Sequence, residues 1–394
     1  MKEKEMQDRG RVIGMDVHPS CFSAAAVRGN APNKSRIEWT HDRVAMERLE
    51  VWAGRHLRPG DIVVMEAGNS SFETCTRLRG LGFASVVLES FRAGQIASAY
   101  LKNDKVDAVK LAKIYLSGLA KEVWQPDETC RERREILAAF RKAVADSVRM
   151  RNRITSWLTE HGKRKPPRIR WTRPEGRQWL LSCREWSDGQ AALIQTMLDD
   201  LCLAESKRKK LERLIAKTVT HDPEMLKLTR ICGIRHITAY ALAAVIGDIS
   251  RFRSPKKLVA YLGLNPKVCD SGIHKGPGRL AHNGRGDLRA LIVQGAQAVL
   301  RQNPGSNELA RWGQALGFRK NRNTAVIAVA RKMITAVWYL MRGFYSKLIE
   351  ADASLTRKIT KIATVIGQDM LQQLGYSKTH HFVKEKLQLL ISTS

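Results

Sequence analysis

Between Arg11 and Leu88 the chain runs three short strand-like segments in succession and then alternates helix with strand, an order that sharply limits its fold. The first segment, Arg11–Val17 (RVIGMDV), is an apolar run with a polar end, bounded by Gly10 and by His18-Pro19. It reads as a buried strand. Cys21–Val27 and Arg36–His41 follow as two further strands, separated by a turn-like stretch from Arg28 to Ser35. A helix is expected over Arg43–His56, and Pro59-Gly60 turns the chain into a strand over Asp61–Met65. Ser70–Gly80 reads as a helix closed by glycine, Ala84–Leu88 as another strand, and Asp104–Leu119 as a strongly periodic helix. This order predicts a mixed sheet covered by helices.

Beyond Pro126 the period changes. Leu, Ile, Ala and Trp recur at helical spacing among many arginines as far as His161, which predicts one long basic helix. Lys163–Arg173 (KRKPPRIRWTR) breaks it at Pro166-Pro167, and Asp188–Val219 reads as a second long helix with a charged face that includes Lys207–Lys210. Two long helices about a basic break suggest a helical arm or coiled coil; two surface helices of one globular domain would carry the same pattern. Asp222-Pro223 opens a last, mainly helical region. There Leu228–Ile249 reads as two short helices joined at Gly233, and Lys256–Leu262, Gly286–Arg301 and Asn323–Lys347 read as helices. Gly263–Asn283 reads as a glycine-rich loop, and the tail from Ser354 as basic and partly amphipathic. The expected fold class is thus α/β plus α, in four parts: 1–125, the basic arm 126–222, a helical domain 223–350 and a tail 351–394.

Charge narrows the partners. Lys and Arg number 68 against 38 Asp and Glu, a formal net charge of +30. Such an excess repels itself unless a polyanion relieves it, and nucleic acid is the leading candidate. An anionic membrane would require a basic amphipathic segment or lipidation signal, and neither is evident. The opening residues MKEKEMQDRG lack the apolar core of a secretory signal. Ala325–Met341 is apolar but carries Arg331 and Lys332 at its middle, which suits a buried amphipathic helix better than a membrane span. The seven cysteines are scattered and never form C-x-x-C, so reduced thiols in a cytoplasm are expected and a zinc finger is not.

Four carboxylates carry candidate chemistry. Asp16 sits at the end of the first strand, and Glu66 just past a later one, in VMEAG. Asp104 and Asp107 lie three apart at the start of a helix, on one face and where negative charge is favoured. Converging on one sheet edge, the four would repel one another without cations. Two Mg²⁺ ions about 3.5–4 Å apart would neutralise them and clamp a scissile phosphate. The order also resembles the ribonuclease-H-like fold of RuvC-type resolvases, whose carboxylates hold catalytic metals. His18 flanks the site but is not placed in the metal set; Lys102 and Lys105 are candidate phosphate contacts.

Far downstream, Ser271-Gly272 sits in a loop rich in Gly, Lys and Arg. A serine hydroxyl is a poor nucleophile unless a base, a metal or cations assist it, and Lys275, Arg279 and Arg285 are the cations at hand. By chemistry alone a Ser-Gly in a loop is more often a turn.

Taken together, G-M-D-V-H, V-M-E-A and K-N-D-K-V-D-A, followed by L-x-x-I-x-G-I-x-x-x-T-A and Y-L-G-L-x-P-x-x-x-x-S-G, resemble the insertion-sequence one-ten family of transposases. The resemblance covers the first 120 or so residues and roughly Leu228–Leu300. It implies a RuvC-like domain bearing a D-E-D-D set on Asp16, Glu66, Asp104 and Asp107, with Mg²⁺, and a transposase domain with its nucleophile at Ser271. It further implies a phosphoserine link to DNA, a site composed from both parts, a structured bridge RNA that pairs with donor and target DNA, and a tetramer of synaptic dimers.

Such an RNA would account for the positive charge. Arg164, Lys165, Arg168, Arg170, Trp171 and Arg173 in the basic break, with Trp157, Trp179 and Trp186 around it, combine cations with stacking surfaces, unless those tryptophans are core. Ile231–Gly233 followed by Ile234-Arg235 is similar to a helix–hairpin–helix turn, which presents N–H groups to phosphate, although Arg235 stands where many have a second glycine. Two other readings share these residues: a metal-only, structure-specific nuclease in which water attacks, and a non-catalytic nucleic-acid-binding protein supported by charge alone.

Overall fold

The computed structural model describes residues 10–89, 104–267, 270–271, 274–275, 279–280, 284–305, 307–344 and 352–392, of which the side chains at 104–106, 267, 270–271, 274–275, 279, 352–353 and 392 are not described. The chain forms two compact units, Met1–Pro126 and Asp127–Ser394.

The first unit is built on five strands: β1 (Arg11–Val17), β2 (Cys21–Gly29), β3 (Ser35–Ala45), β4 (Ile62–Glu66) and β5 (Ala84–Leu88). Their order is β3-β2-β1-β4-β5. The first three pair antiparallel, while β4 lies parallel to β1 and β5 parallel to β4. Helices α1 (Leu49–His56), α2 (Ser71–Gly80) and α3 (Asp104–Leu116) supply the crossovers and cover. Side chains alternate across the sheet. Ile13, Met15, Val63 and Met65 pack on one face with Leu49, Trp52, Cys75 and Leu78 of α1 and α2. Val12 and Val64 pack on the other with Leu111, Ala112 and Tyr115 of α3.

The helix expected over Arg43–His56 is shorter. β3 runs on to Ala45, pairing Phe22 with Val44 and Cys21 with Ala45. The Ser23 hydroxyl donates to Asp42 and accepts from the Arg43 N–H, which holds an irregularity in the ladder where Arg43 takes a positive φ of 49°. Ladder hydrogen bonds therefore override the local helical pattern, and α1 begins only at Leu49. At the opposite end of β1, Arg11 is 4% exposed. Its guanidinium grips Asp61 at 3.0 and 2.6 Å and donates to the His56 carbonyl at 2.9 Å. Stripping one partner from a buried pair of this kind costs about 3–5 kcal/mol.

The closest approach in this unit lies between β1 and α3. A methyl at Gly14 would stand 1.8 Å from the Ala108 carbonyl oxygen and 2.9 Å from the Ala112 nitrogen. With no side chain at Gly14 and only methyls at Ala108 and Ala112, the helix rests directly on the strand. Val12 packs with residues from the later turns of α3, so the helix start faces the Asp16 end of β1.

The second unit is helical. Glu128–Glu160 and Asp188–His221 are helices of 33 and 34 residues, each about 50 Å long at 1.5 Å per residue. Asp127 caps the first by accepting from the Cys130 N–H, and Ser187 with Gln190 forms a capping box on the second. They run antiparallel: Arg133 meets Asp222 at 3.1 Å, and Ser147 and Arg151 both meet Glu205. Their near ends, through Leu137, Phe140, Ile215 and Val219, belong to the main core; their far ends build a separate one around Ile154, Leu158, Leu180 and Leu201.

The tail is not an appendage. Leu355, Ile359, Ile362 and Ile366 of the helix Asp352–Ile366 recur at helical spacing and are buried in the main core, with Phe382 and Leu390 from Thr379–Ser392. Residues from 352 on thus belong with the preceding helical domain, because their apolar stripe completes its core. The helix Arg322–Met341 is long and apolar enough to cross a membrane by length and composition, but Val329, Met333, Ile334 and Val337 lie in that same core.

The Gly263–Asn283 segment carries two short ladders, Pro266–Lys267 with Arg279–Leu280 and, inside it, Asp270–Ser271 with His274–Lys275. Its base is pinned. Gly284 adopts φ +99°, and a Cβ there would lie 2.5 Å from the Tyr261 carbonyl oxygen, which also accepts from the Arg285 N–H at 3.2 Å. Beside it Asp287 takes a bidentate hold from Arg285 at 3.1 and 2.8 Å and an ion pair from Arg141 at 3.3 Å. Hydrogen bonds from Arg285, chiefly, hold the Asp287 carboxyl down at about 2.

Two stability tests follow from these contacts. Gly14→Ala should lower the thermal midpoint of the first unit by an amount equivalent to about 1–3 kcal/mol, because strand or helix must move aside; an unchanged midpoint would show that α3 does not rest on Gly14. A carboxylate depressed in the folded state stabilises above its unfolded value and loses that contribution as pH falls through the folded one. Asp287→Asn should therefore cost roughly 2 kcal/mol near pH 6, and the deficit should vanish towards pH 2. Denaturant titrations that show the same deficit at both pH values would refute the ion-pair account.

Candidate functional site

β1 and β4 run parallel with Met15 opposite Met65, so Asp16 and Glu66 are the next residues along neighbouring strands at the same sheet edge. Adjacent strands lie about 4.8 Å apart. Both residues fall on the α3 face, in step with Gly14 and Val64. The Gly14–Ala108 contact brings the start of α3 over that edge, and with it Asp107. Electrostatics show the convergence: burial first, then the negative charges of Asp16 and Asp107, hold the Glu66 carboxyl above the usual carboxylate range.

A nearby cation and an imidazole meet this negative charge. Lys110, one turn on from Asp107, donates to it at 3.0 Å, and His18 Nε2 lies 3.6 Å from an Asp16 oxygen. Among the described residues, no three His, Cys, Asp or Glu side chains come together as a ready metal-holding group. Asp104 begins α3, but its side chain and that of Lys105 are not among those described, and Lys102 lies outside the described residues. The arrangement is two acidic groups, Asp16 and Asp107, near enough to perturb a third, Glu66, on a sheet edge where a cation would relieve them.

The backbone of Ser271 lies in the inner ladder of the second unit, directly opposite His274. Lys275 is in the facing strand and Arg279 in the outer ladder; none of these side chains is among those described. Arg285 at the base is committed to Asp287, so it is a structural clamp before it is a cation for substrate.

The basic break also differs from a stacking platform. Trp171 is 2% exposed, packed with Ile154, Leu158 and Leu180, and its indole N–H donates to Thr155 at 3.2 Å. Its ring is therefore core and has no face to offer a base. A Cβ at Gly176 would lie 2.1 Å from the Arg170 carbonyl oxygen, so the helix Pro174–Ser182 clamps the segment down. Trp157, Trp179 and Trp186 are partly buried in the same cluster. Lys165 lies with its ammonium 5.6 Å from the Trp171 ring centre. What remains on the surface is charge: Arg164, Arg168, Arg170 and Arg173 are all exposed. Arg235 is exposed too, at the N-cap of the helix His236–Ile246, directly after the Gly233 turn.

Gly14 is the site residue that motif reasoning passed over. Its signal is present in RVIGMDV: a glycine inside an apolar strand weakens the strand unless another backbone must come close. Lys110 and its hold on Asp107 were legible only as an ordinary i, i+3 pair.

Known proteins match in the same two places. A family model for the DEDD transposases of IS110, described as "Transposase", matches residues 13–162, and the model "Transposase IS116/IS110/IS902 family" matches residues 225–311. The "Probable family 20 transposase" of Pseudomonas aeruginosa is 26% identical over 335 residues, spanning 84% of this chain and 96% of its own length. The "Transposase for insertion sequence element IS1111A" of Coxiella burnetii is 31% identical over 116 residues, 29% of this chain and 32% of its own. The "Pilin gene-inverting protein" of Moraxella lacunata is 32% identical over 118 residues, 29% of this chain and 36% of its own. One model falls on the sheet-edge carboxylates and the other on the Ser271 hairpin, and the chain belongs to the IS110/IS116 family of transposases.

Proposed function

We propose that this transposase cuts and rejoins DNA with two sets of groups: carboxylates on an RNase-H-like (RuvC-like) sheet edge and the hydroxyl of Ser271. The observation that carries the reading is the electrostatic coupling of Asp16, Glu66 and Asp107 at the shared ends of β1, β4 and α3. A carboxylate whose proton affinity is raised by burial and two neighbouring carboxylates suits a site for divalent cations, here Mg²⁺ and in the proposal two ions. Asp16, Glu66 and Asp107 would hold them, with Asp104 one turn before Asp107. Bound there, the cations would supply Lewis-acid charge at a phosphate.

The Ser271 hydroxyl attacks the DNA phosphorus and gives up its proton. A deoxyribose oxygen leaves with the bonding electrons and is protonated, and the serine–phosphate ester keeps the linkage available for rejoining. Lys275 and Arg279, in the same hairpin, are suited to balance charge on the phosphate oxygens. A protein that inverts a pilin gene among the relatives fits such conservative strand exchange. A formal charge of +30 and the exposed arginines at the far end of the long helices support donor and target DNA and a structured guide RNA as partners; a tetramer of two dimers belongs to the same proposal.

Mg²⁺ at about a hundred times its dissociation constant should stabilise the parent protein by roughly 2.7 kcal/mol, seen as a higher thermal midpoint. Glu66→Gln should abolish most of that gain while raising the metal-free midpoint at pH 7. The sign follows from the raised Glu66 carboxyl: its stabilising protonated form is lost as pH rises through the folded value, so ionised Glu66 burdens the metal-free fold at neutral pH. A parent indifferent to Mg²⁺ would remove the metal from the proposal.

Asp16→Asn should reduce Mg²⁺-dependent strand cleavage by a factor on the order of 100 or more. Ser271→Ala should eliminate the protein–DNA adduct that survives denaturing electrophoresis. Cleavage that persists in Ser271→Ala and leaves no adduct in the parent would identify a metal-only nuclease instead.

A further inference from the structure

Within the second unit a cavity of about 850 Å³ opens between the Gly233 turn, the helix Gly286–Leu300 and the helix Asp352–Ile366. Its lining includes Arg235, Arg357, Lys358 and Lys361, and no carboxylate among the described residues. Three of these cations come from one face of the helix Asp352–Ile366, far in sequence from every motif. Lys358 donates to the carbonyls of Thr229 and Ile231 at 2.6 and 2.9 Å and so binds that helix to the turn. Arg235, Arg357 and Lys361 are exposed.

The wall is built rather than incidental. Gly233 takes φ +79°, and a Cβ on it would lie 2.8 Å from the Gly295 carbonyl oxygen, so the turn lies flush against the neighbouring helix. His236 lines the cavity at 5% exposure, with its Nε2 facing the Glu212 carboxylate at 3.6 Å, which is itself held by Arg208. The helix His236–Ile246 starts here with no side-chain cap, so its free N–H groups and dipole add positive potential. Gln294 brings an exposed amide, able to donate and accept, to the same wall.

We infer that this cavity is a second nucleic-acid site, separate from the carboxylates, that holds the phosphodiester backbone of one or two nucleotides of a single strand. Its volume suits a ligand of nucleotide size and is too small to admit a duplex. Cations of one sign on two elements, beside an uncapped helix start, match phosphate oxygens. The inference rests on the protein acting on nucleic acid, but not on the carboxylate or serine chemistry.

The test is Arg357→Glu/Lys361→Glu in the full-length chain, both positions exposed and neither in the catalytic proposal. Binding to a 20-nucleotide single-stranded DNA, to the same sequence as RNA and to the corresponding DNA duplex would be measured across a salt series, with the thermal midpoint as a check on folding. We expect at least tenfold weaker binding at low salt and a log–log salt slope shallower by roughly 1.4 for two lost phosphate contacts. A loss confined to DNA or to RNA identifies the strand, and either supports the site. Unchanged affinity and slope for both single strands overturn it, as does a loss seen only with duplex. Competition by a free nucleoside monophosphate as potent as the strand would overturn the strand assignment. Asp16→Asn in parallel should bind as the parent does while losing cleavage, so failure of the cavity and failure of the carboxylate proposal give different results.

Discussion

The contact on which the first unit depends is backbone against backbone, where Gly14 of β1 meets Ala108 of α3. Helices usually rest on sheets through interlocking side chains, which hold the two backbones apart. Here the strand gives up its side chain and the helix offers only methyls, so the separation falls until a single Cβ could not fit. That closeness has a chemical consequence. Asp107 comes within electrostatic reach of Asp16 and Glu66, and the carboxyl of Glu66 responds. The catalytic proposal is therefore a consequence of packing immediately beside the acids, since Ala108 follows Asp107 and Gly14 lies two residues before Asp16.

The second unit solves a different problem, how to carry a large positive charge on a stable frame. Its long helices are tied across their length by ion pairs between Arg133 and Asp222 and around Glu205, and are closed at the far end by a tryptophan cluster. The apolar groups in the basic break turn inward, and the arginines are left outside. The same division recurs at the helix Asp352–Ile366: Leu355, Ile359 and Ile362 fill the core, while Arg357 and Lys361 face a cavity. In both places one amphipathic segment supplies stability with one face and potential with the other.

Much of this was readable residue by residue. The strands Arg11–Val17 and Ala84–Leu88 were legible to their ends, because a buried strand bounded by turn residues is a local signal. Asp16 and Glu66 could be proposed as partners from their places at strand ends. Where reading failed, a long-range contact had overruled a local pattern. The helix expected from Arg43 yielded to ladder pairing with β2, Trp171 was drawn into a core, and the tail was claimed by apolar partners more than a hundred residues away. Arg285 looked like a free cation because nothing local shows that Asp287, two residues on, holds it with both oxygens.

Sequence by itself determined the kinds of element, their order, the excess of cations and the acids available at strand and helix ends, since each depends on neighbours in the chain. Family membership was carried by the same short motifs. Tertiary structure decided which acids share a space, which arginines are committed and which aromatic faces are closed. Those outcomes depend on distances between segments remote in sequence. The glycine at position 14 joins the two levels: its identity is local, but its purpose is visible only when α3 lies on top of it.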